Sequence, residues 1–159
     1  MNQLERKKRC GKVSKLFVIE GSAETWQEAL RITSGILMEQ GCVCDDFYES
    51  CVEREINYPT GLTELCPIAI PHTSKEYVKQ EAVCALKLAG PVEFRRMDDS
   101  EGIVQVKYVL NLAFLDDNEH LELISRIIHC IKDTEFVEKM DRMSIEELEV
   151  FLKDKFLKK

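Results

Sequence analysis

Two hydrophobic patterns alternate along the chain, and they predict different elements. Short, nearly continuous apolar runs predict strands, whereas apolar residues spaced three and four apart predict amphipathic helices. The run at 104–115 is the longest, which predicts a mostly buried central strand. The predicted strands are 15–20, 66–70, 81–88, 92–94 and 104–115.

Helical spacing and terminal signals predict five helices. Asp45 and Asp46 precede the second one, Asp117 or Asn118 the third, and Ser144 with Glu147 forms a capping-box pattern before the last. A glycine at position 41 suits the end of the first helix. The predicted helices are 24–40, 45–56, 119–132, 134–142 and 145–157.

Strands interleaved with helices predict a single α/β domain over 15–159. We expect a mixed β-sheet of about five strands flanked by helices on both faces. Pro59 and Gly61 break the periodicity, so 58–65 is predicted as a loop, and Gly90 with Pro91 predicts a turn. The segment 1–14 is interpreted as a basic, flexible lead-in.

Composition and charge narrow the possible functions. The 159 residues are 45% apolar, and the net charge is −7, with the positive charge concentrated at the two ends. An acidic body disfavours a nucleic-acid partner, because phosphate binding depends on neutralising cations. No apolar run approaches the roughly 18–20 residues of a membrane span, and no signal-peptide core follows the basic start. We therefore expect a cytoplasmic protein without direct membrane insertion.

The seven cysteines do not form a recognisable metal or disulfide pattern. Their number is odd, and Cys42 and Cys44 form a CxC pair without a second ligand pair at zinc-site spacing. We expect unpaired cysteines that serve as small buried hydrophobes, and no metal site.

Position distinguishes the three histidines. His129 has charged and polar helical neighbours, which predicts a surface location. His72 follows Pro71 at the end of a buried strand, where ligand sites of α/β sheets form; the alternative is a histidine that caps the loop. His120 lies in the first turn of a helix, where N–H groups favour an anion; the alternative is an exposed histidine. If the two strands are neighbours, His72 and His120 face one cleft.

An arginine and a hydroxyl group complete a candidate phosphate site. Arg54 precedes a loop that contains Thr60 and Gly61, and a guanidinium matches the geometry of phosphate oxygens. Gly61 would let backbone N–H groups approach an anion closely. The alternative is a surface ion pair between Arg54 and Glu55. The sequence contains no Walker loop, GxGxxG or GxSxG motif, so no nucleotide or other cofactor is expected.

Two neighbouring stretches carry a family resemblance. The sequence REINYPTGL at 54–62, followed by IAIPHT at 68–73, resembles the active-site signature of the enzyme IIA components of the bacterial sugar phosphotransferase system, in the fructose/mannitol-type superfamily. Segments 112–114 and 119–121 resemble the second-histidine region of that family, and the order matches over about 16–157. The glycine-free spacer before the second stretch resembles the galactitol-type branch.

The resemblance implies a phosphoryl relay without a metal or cofactor. His72 would accept phosphate from the histidine phosphocarrier protein HPr and pass it to a cysteine of an enzyme IIB, for galactitol or a related polyol or sugar. His120 would donate a hydrogen bond to the phosphoryl oxygens, and Arg54 would neutralise them or position the loop. Thr60 would hold the loop or bond an oxygen.

Two other functions are compatible with the sequence. One is a regulatory phosphohistidine protein of the same fold, which controls partners rather than feeding a transporter. The other is an unrelated hydrolase with a histidine or cysteine nucleophile, although no cysteine stands beside a convincing base in the sequence.

Overall fold

A computed structural model describes residues 15–157, which contain one five-stranded sheet. The strands are β1 (Lys15–Gly21), β2 (Gly61–Leu62), β3 (Ile68–Ala69), β4 (Ala82–Arg95) and β5 (Ile103–Ala113). Their order in the sheet is β1-β4-β5-β3-β2. Strand β1 runs parallel to β4, β4 is antiparallel to β5, β3 is parallel to β5, and β2 is antiparallel to β3. The mixed sheet confirms the predicted fold class.

Five α-helices connect or follow these strands within the described residues. A short 3₁₀ turn, Lys75–Tyr77, precedes β4, and a π-helical turn, Lys153–Leu157, follows the last α-helix. The π-helical turn replaces the C-terminal part of the predicted helix 145–157. The α-helices are α1 (Trp26–Glu39), α2 (Phe47–Asn57), α3 (Asp117–Ile131), α4 (Thr134–Arg142) and α5 (Ile145–Leu152).

The central strand β5 is buried by helices on both faces, as the sequence predicts. Its side chains alternate between the faces, so that Leu112 belongs to one apolar cluster and Val109 to the other. The first cluster includes Ile127 of α3, and the second includes Leu30 of α1 and Phe47 of α2. Both faces of the sheet are therefore core.

Helix termini follow the predicted capping chemistry in part. Ser144 and Glu147 form the complete capping box of α5. Helix α3 starts earlier than predicted, because Asp116 is its N-cap and accepts a hydrogen bond from the backbone N–H of Glu119. Asp46 occupies the N-cap position of α2, but its side chain makes no capping hydrogen bond.

The turn predicted at Gly90 and Pro91 is wrong. Strand β4 continues through both residues and pairs with β5 on either side of them, with a register shift between Lys87 and Val92. A proline cannot donate to the ladder, and a bulge is where a strand tolerates one. Gly90 and Pro91 thus mark a local irregularity within one long strand and not a reversal of the chain.

The loop predicted at 58–65 contains the short strand β2, and the strand predicted at 66–70 is reduced to β3. Prolines limit β3 at both ends because they lack the N–H group of a ladder. Their carbonyls still pair with β5: Pro67 accepts from the N–H of Lys107, and Pro71 accepts from the N–H of Leu112. The chain therefore follows β5 as far as His72.

Three sequence expectations concern the chain as a whole. No helix within 15–157 is both long enough and apolar enough to cross a membrane. The six cysteines of this part of the chain are unpaired. The predicted basic lead-in, 1–14, lies outside the described residues. The four buried cysteines are Cys42, Cys51, Cys66 and Cys84.

Candidate active site

His72 stands at the end of the short strand β3, where the sequence places it. Pro71 ends regular pairing, and a single bridge then joins His72 to Leu112 of β5. The imidazole Nδ1 lies 2.8 Å from the carbonyl oxygen of Ile70. A carbonyl oxygen only accepts hydrogen bonds, so Nδ1 must carry the proton and Nε2 the lone pair. The fold thus selects one tautomer of the ring. The contact between Nδ1 and the Ile70 carbonyl is the one that selects it.

The environment keeps the His72 imidazole neutral. Burial lowers the pKa of His72, and the positive charge of Arg54 lowers it further, while the hydrogen bond to Ile70 opposes both effects. At neutral pH the ring is therefore uncharged. A neutral ring with a free Nε2 lone pair is the nucleophilic form of histidine.

His120 lies against His72, as the sequence predicts. The two ring centroids are 4.7 Å apart, with an interplanar angle of 80°. The opposite contact of His120 is Phe114, whose ring stacks on the imidazole at a centroid distance of 3.9 Å. Nε2 of His120 is buried and has no hydrogen-bond partner within the described residues. The alternative of a solvent-exposed helix-terminal histidine is wrong.

The pKa of His120 is lowered to about 4. Burial is the largest cause, followed by repulsion from His72, with a smaller contribution from Arg54; the carboxylate of Asp117 opposes them. His120 is therefore also neutral at neutral pH. A neutral imidazole that has an unpartnered nitrogen can donate a hydrogen bond to a phosphoryl oxygen without a prior ion pair.

Arg54, in the last turn of α2, supplies the positive charge of the site. Its guanidinium lies over the ring of Tyr58, with the central carbon 4.9 Å from the ring centroid. Its charge lowers the pKa of both His72 and His120. The structure thus brings the guanidinium into the electrostatic range of both imidazoles.

Thr60 is buried beside Glu55, which the sequence suggested only as a surface partner of Arg54. Glu55 is 4% exposed, and its two carboxylate oxygens accept hydrogen bonds from the Thr60 backbone N–H at 2.7 Å and from the Thr60 hydroxyl at 2.9 Å. The alternative of a surface pair between Arg54 and Glu55 is therefore wrong. Of the two roles predicted for Thr60, these contacts favour the one that holds the loop.

Gly61 has a packing role that the sequence did not predict. A Cβ atom at this position would lie 2.6 Å from the carbonyl oxygen of Arg95 and 2.6 Å from Cγ1 of Val104. The missing side chain therefore lets β2 approach its neighbours. The backbone of Gly61 accepts a hydrogen bond from the N–H of Met97, on the loop after β4.

Two features that support the site were not predicted from the sequence. The hydroxyls of Ser50 and Thr73 are hydrogen bonded, which ties the segment after His72 to α2. Glu55 was missed as a buried group, although it follows the buried Cys51 by four residues and so lies on the same helix face. This spacing is the sequence signal that identifies it.

Other groups stay outside the site. His129 is exposed on α3, as predicted. No cluster of three or more histidine, cysteine or acidic side chains is placed to hold a metal ion in the described part of the chain.

Two neutral imidazoles in contact, with a guanidinium close by at one edge of an α/β sheet, are the groups expected of a protein that transfers phosphoryl groups. A comparison with known families identifies which one. The chain belongs to the EIIA 2 family of the phosphoenolpyruvate-dependent sugar phosphotransferase system, whose family model matches residues 13–155. Its relatives are phosphotransferase components.

Three known proteins illustrate this similarity. The mannitol-specific phosphotransferase enzyme IIA component of Geobacillus stearothermophilus is 31% identical over 82% of this chain and 86% of its own length. The galactitol-specific EIIA component of Escherichia coli K12 is 27% identical over 80% of this chain and 86% of its own length. The solved complex of mannitol enzyme IIA with phosphorylated enzyme IIB from Escherichia coli gives a TM-score of 0.70 at 24% identity, over 88% of this chain and 94% of that one, which shows a shared fold.

Proposed function

We propose that His72 accepts a phosphoryl group from HPr and passes it to a cysteine of an enzyme IIB. The observation that carries this proposal is the hydrogen bond from Nδ1 of His72 to the Ile70 carbonyl, because it leaves Nε2 as the nucleophilic nitrogen. The reaction transfers one phosphoryl group between protein side chains and consumes no cofactor.

The transfer needs no separate base, because Nε2 of His72 carries no proton. The Nε2 lone pair attacks the phosphorus of the donor phosphohistidine, an N–P bond forms, and the donor N–P bond breaks with its electron pair returning to the donor ring. The His72 ring keeps its Nδ1 proton and becomes cationic, and the Ile70 carbonyl stabilises that charge. In the second transfer a cysteine thiolate of the enzyme IIB attacks the same phosphorus, and Nε2 recovers its lone pair.

His120 and Arg54 would stabilise the charge on the phosphoryl oxygens. The unpartnered Nε2 of His120 is available as a donor, and the positive charge of Arg54 acts on the same region. Preorganised donors of this kind contribute strongly to transfer, and removal of one commonly costs about 10²–10³ in rate. Thr60 holds the loop that leads into β3.

Exposed apolar side chains next to the site suit transient partners. Tyr58 contacts Arg54 and is 65% exposed, and Leu121 follows His120 and is 64% exposed. Short-lived relay complexes bury interfaces at the small end of the known range. HPr and the enzyme IIB would dock on this rim in turn, in the cytoplasm. The enzyme IIB partner is also suggested by the solved relative, which is a complex with phosphorylated enzyme IIB.

The transported compound is proposed to be galactitol or a related polyol or sugar. Relatives named for galactitol and for mannitol, both hexitols, favour a polyol, and other relatives are named for ascorbate. The sugar itself would not contact this protein, because phosphate leaves it on a cysteine of the partner. A competition experiment would identify the cognate partner. Purified enzymes IIB for galactitol and for mannitol are mixed with the phosphorylated protein, and the one that accepts the phosphoryl group faster is the cognate one.

Incubation with phosphoenolpyruvate, enzyme I and HPr tests the proposal. Intact-mass spectrometry should show the addition of one acid-labile phosphoryl group to the wild-type protein. His72→Ala should abolish the addition, whereas His129→Ala, which changes an exposed histidine of α3, should preserve it. An unchanged mass of the wild-type protein would refute the proposal.

The regulatory alternative predicts the same first step but a different second step. A relay protein discharges onto the cysteine of an enzyme IIB, and a regulator keeps its phosphoryl group in the presence of that partner. Measuring the half-life of the phosphorylated protein with and without a cognate enzyme IIB separates the two.

A further inference from the structure

A continuous series of hydrogen bonds leads from a buried carboxylate to the imidazole of His72. The Thr60 hydroxyl donates to Glu55 at 2.9 Å, and the N–H of Ile70 is shared between the Thr60 hydroxyl oxygen at 3.2 Å and the Thr60 carbonyl oxygen at 3.4 Å. The Ile70 carbonyl then accepts from Nδ1 of His72 at 2.8 Å. Glu55, Thr60 and Ile70 are 4%, 2% and 0% exposed, so water competes little for these contacts.

We propose that Glu55 is a positioning residue which, through Thr60 and Ile70, fixes the His72 ring in the tautomer that has its proton on Nδ1 and its lone pair on Nε2. This inference rests on the proposed function, since it explains how the phosphoryl acceptor is prepared. Glu55 is buried, and it acts through the residues between it and His72.

The chemistry of each group determines which partner donates and which accepts in each hydrogen bond of the series. An ionised carboxylate only accepts, so the Thr60 hydroxyl must donate to Glu55 and present a lone pair to the N–H of Ile70. The second oxygen of Glu55 holds the backbone N–H of Thr60 at 2.7 Å, so the threonine is fixed at two points. A hydroxyl held in this way cannot rotate to donate elsewhere.

The last step passes through the backbone conformation of Ile70. Its N–H and its C=O belong to successive peptide groups, so the link is steric rather than electronic. Ile70 stands between β3 and Pro71, and the proline ring restricts ψ of the residue before it, which limits the direction of the Ile70 carbonyl. Anchoring the N–H of Ile70 therefore orients the oxygen that His72 uses.

The charge of Glu55 determines the conditions for a test. Burial raises the pKa of Glu55 to about 7, and the two hydrogen bonds from Thr60, with the charges of Arg95 and Arg54, oppose a further rise. The buried thiol of Cys51 also faces this carboxylate. At pH 8 the accepting, ionised form predominates, so the comparison of variants belongs there.

Two variants break the series, and two are matched controls. Glu55→Gln removes one of the two accepting oxygens, and Thr60→Val removes the hydroxyl while keeping the shape. Thr60→Ser restores the hydroxyl, and Glu53→Gln makes the same charge change at an exposed position of α2. All four are measured as full-length protein, and thermal melting shows which are folded.

Nitrogen-15 spectroscopy of the His72 ring at pH 8 gives the first readout. The wild type, Thr60→Ser and Glu53→Gln should show a protonated Nδ1 and an unprotonated Nε2. Glu55→Gln and Thr60→Val should show averaged shifts from a mixture of tautomers. The second readout is phosphoryl acceptance from HPr, where kcat should fall about 10–100-fold in these two variants, with KM for HPr within twofold of wild type.

Wild-type ring shifts in either disruptive variant, provided that variant is folded, would overturn the inference whatever its kcat, and so would a wild-type kcat in a folded variant whose tautomers are mixed. If Glu55→Gln fails to fold, the isosteric Thr60→Val decides by the same two readouts. The two proposals fail separately: a wild-type protein that accepts no phosphoryl group refutes the relay, whereas unchanged tautomers in a protein that does accept one refute only the role of Glu55.

Discussion

The imidazoles of His72 and His120 meet edge to face, with ring centroids 4.7 Å apart and an interplanar angle of 80°. At this distance the two rings cannot both carry a positive charge at low cost, and repulsion between them contributes to the lowered pKa of His120. Both imidazoles are therefore neutral at neutral pH before phosphorylation. A dianionic phosphoryl group on one ring would find a hydrogen-bond donor on the other.

Replacement of His120 tests this division of roles. His120→Ala should reduce the rate of phosphoryl acceptance about 10²–10³-fold, because one donor to the developing charge is lost. His129→Ala, on the exposed face of the same helix, should leave the rate unchanged. The rate of phosphoryl acceptance is measured by quenching the reaction with purified, phosphorylated HPr at successive times. A wild-type rate in His120→Ala would show that the second ring has no part in transfer.

The titration of the His72 ring follows from its lowered pKa. Burial disfavours the charged ring, so the nucleophilic neutral form persists below pH 6.5, the ordinary value for histidine. In an NMR titration the ring should thus stay neutral as the pH falls from 8 to about 6.5, with its midpoint below pH 6.5. The ring signals report this step directly, whereas the acceptance rate also responds to Glu55, whose pKa is about 7. A titration midpoint of His72 above pH 6.5 contradicts the prediction.

Two substitutions of Arg54 separate its charge from its shape. Arg54→Met removes a positive charge that lowers the pKa of His72, so that pKa should rise in an NMR titration. Arg54→Lys keeps the charge and should leave the pKa near wild type, but it loses the planar fork that matches phosphate oxygens. Both variants should accept phosphate more slowly than wild type. A titration of His72 that is identical in wild type and Arg54→Met would place the guanidinium outside its electrostatic range.

Glu81, at the start of β4, should make the protein less stable as the pH rises. It is fully buried, and burial together with the nearby carboxylates of Glu119 and Asp116 raises its pKa to about 7. Because the folded-state pKa lies above the unfolded value, this group lowers the free energy of unfolding between about pH 4.5 and pH 7, and the loss is complete above pH 7.

Glu81→Gln removes that ionisation. At pH 8 the variant should be more stable than wild type by about 1–3 kcal/mol, which corresponds to roughly 2–12 °C in melting temperature. At pH 5 the two proteins should melt at similar temperatures. An equal difference at both pH values would mean that Glu81 does not titrate in this range.

Gly61 and Gly35 form a matched pair for a stability test. A Cβ at position 61 would collide with the backbone of Arg95, so Gly61→Ala should lower the free energy of unfolding by about 1–3 kcal/mol. A Cβ at Gly35, within α1, would meet no atom of residues 15–157 within 4 Å, and Gly35→Ala should raise the free energy of unfolding by up to about 1 kcal/mol. Urea unfolding measures both changes. A neutral Gly61→Ala would contradict the close packing of β2.

The sequence predicted the fold where hydrophobic pattern alone determines structure. The apolar run that became β5 and the amphipathic spacing of α3 both left no competing interpretation. The prediction failed at Gly90 and Pro91, because turn-forming residues also occur at bulges, and only a partner strand long enough to pair on both sides shows which applies. Local signals do not contain that information.

The candidate site was predicted in its residues but not in its supporting contacts. His72 and His120 follow the ends of neighbouring strands, so topology brings them together. Glu55 follows Arg54 directly, which suggested an exposed ion pair, and its burial depends on how α2 packs. The hydrogen bonds from Thr60 that compensate for burying the carboxylate are set by a loop of irregular conformation, which no periodicity describes.

Locating the phosphoryl group within the phosphorylated protein tests the central claim most directly. Correlation of phosphorus-31 with nitrogen-15 in the labelled protein should show a single bond from phosphorus to Nε2 of His72, with Nδ1 still protonated. A phosphoryl group on Nδ1 of His72, or on any other side chain, would contradict the account.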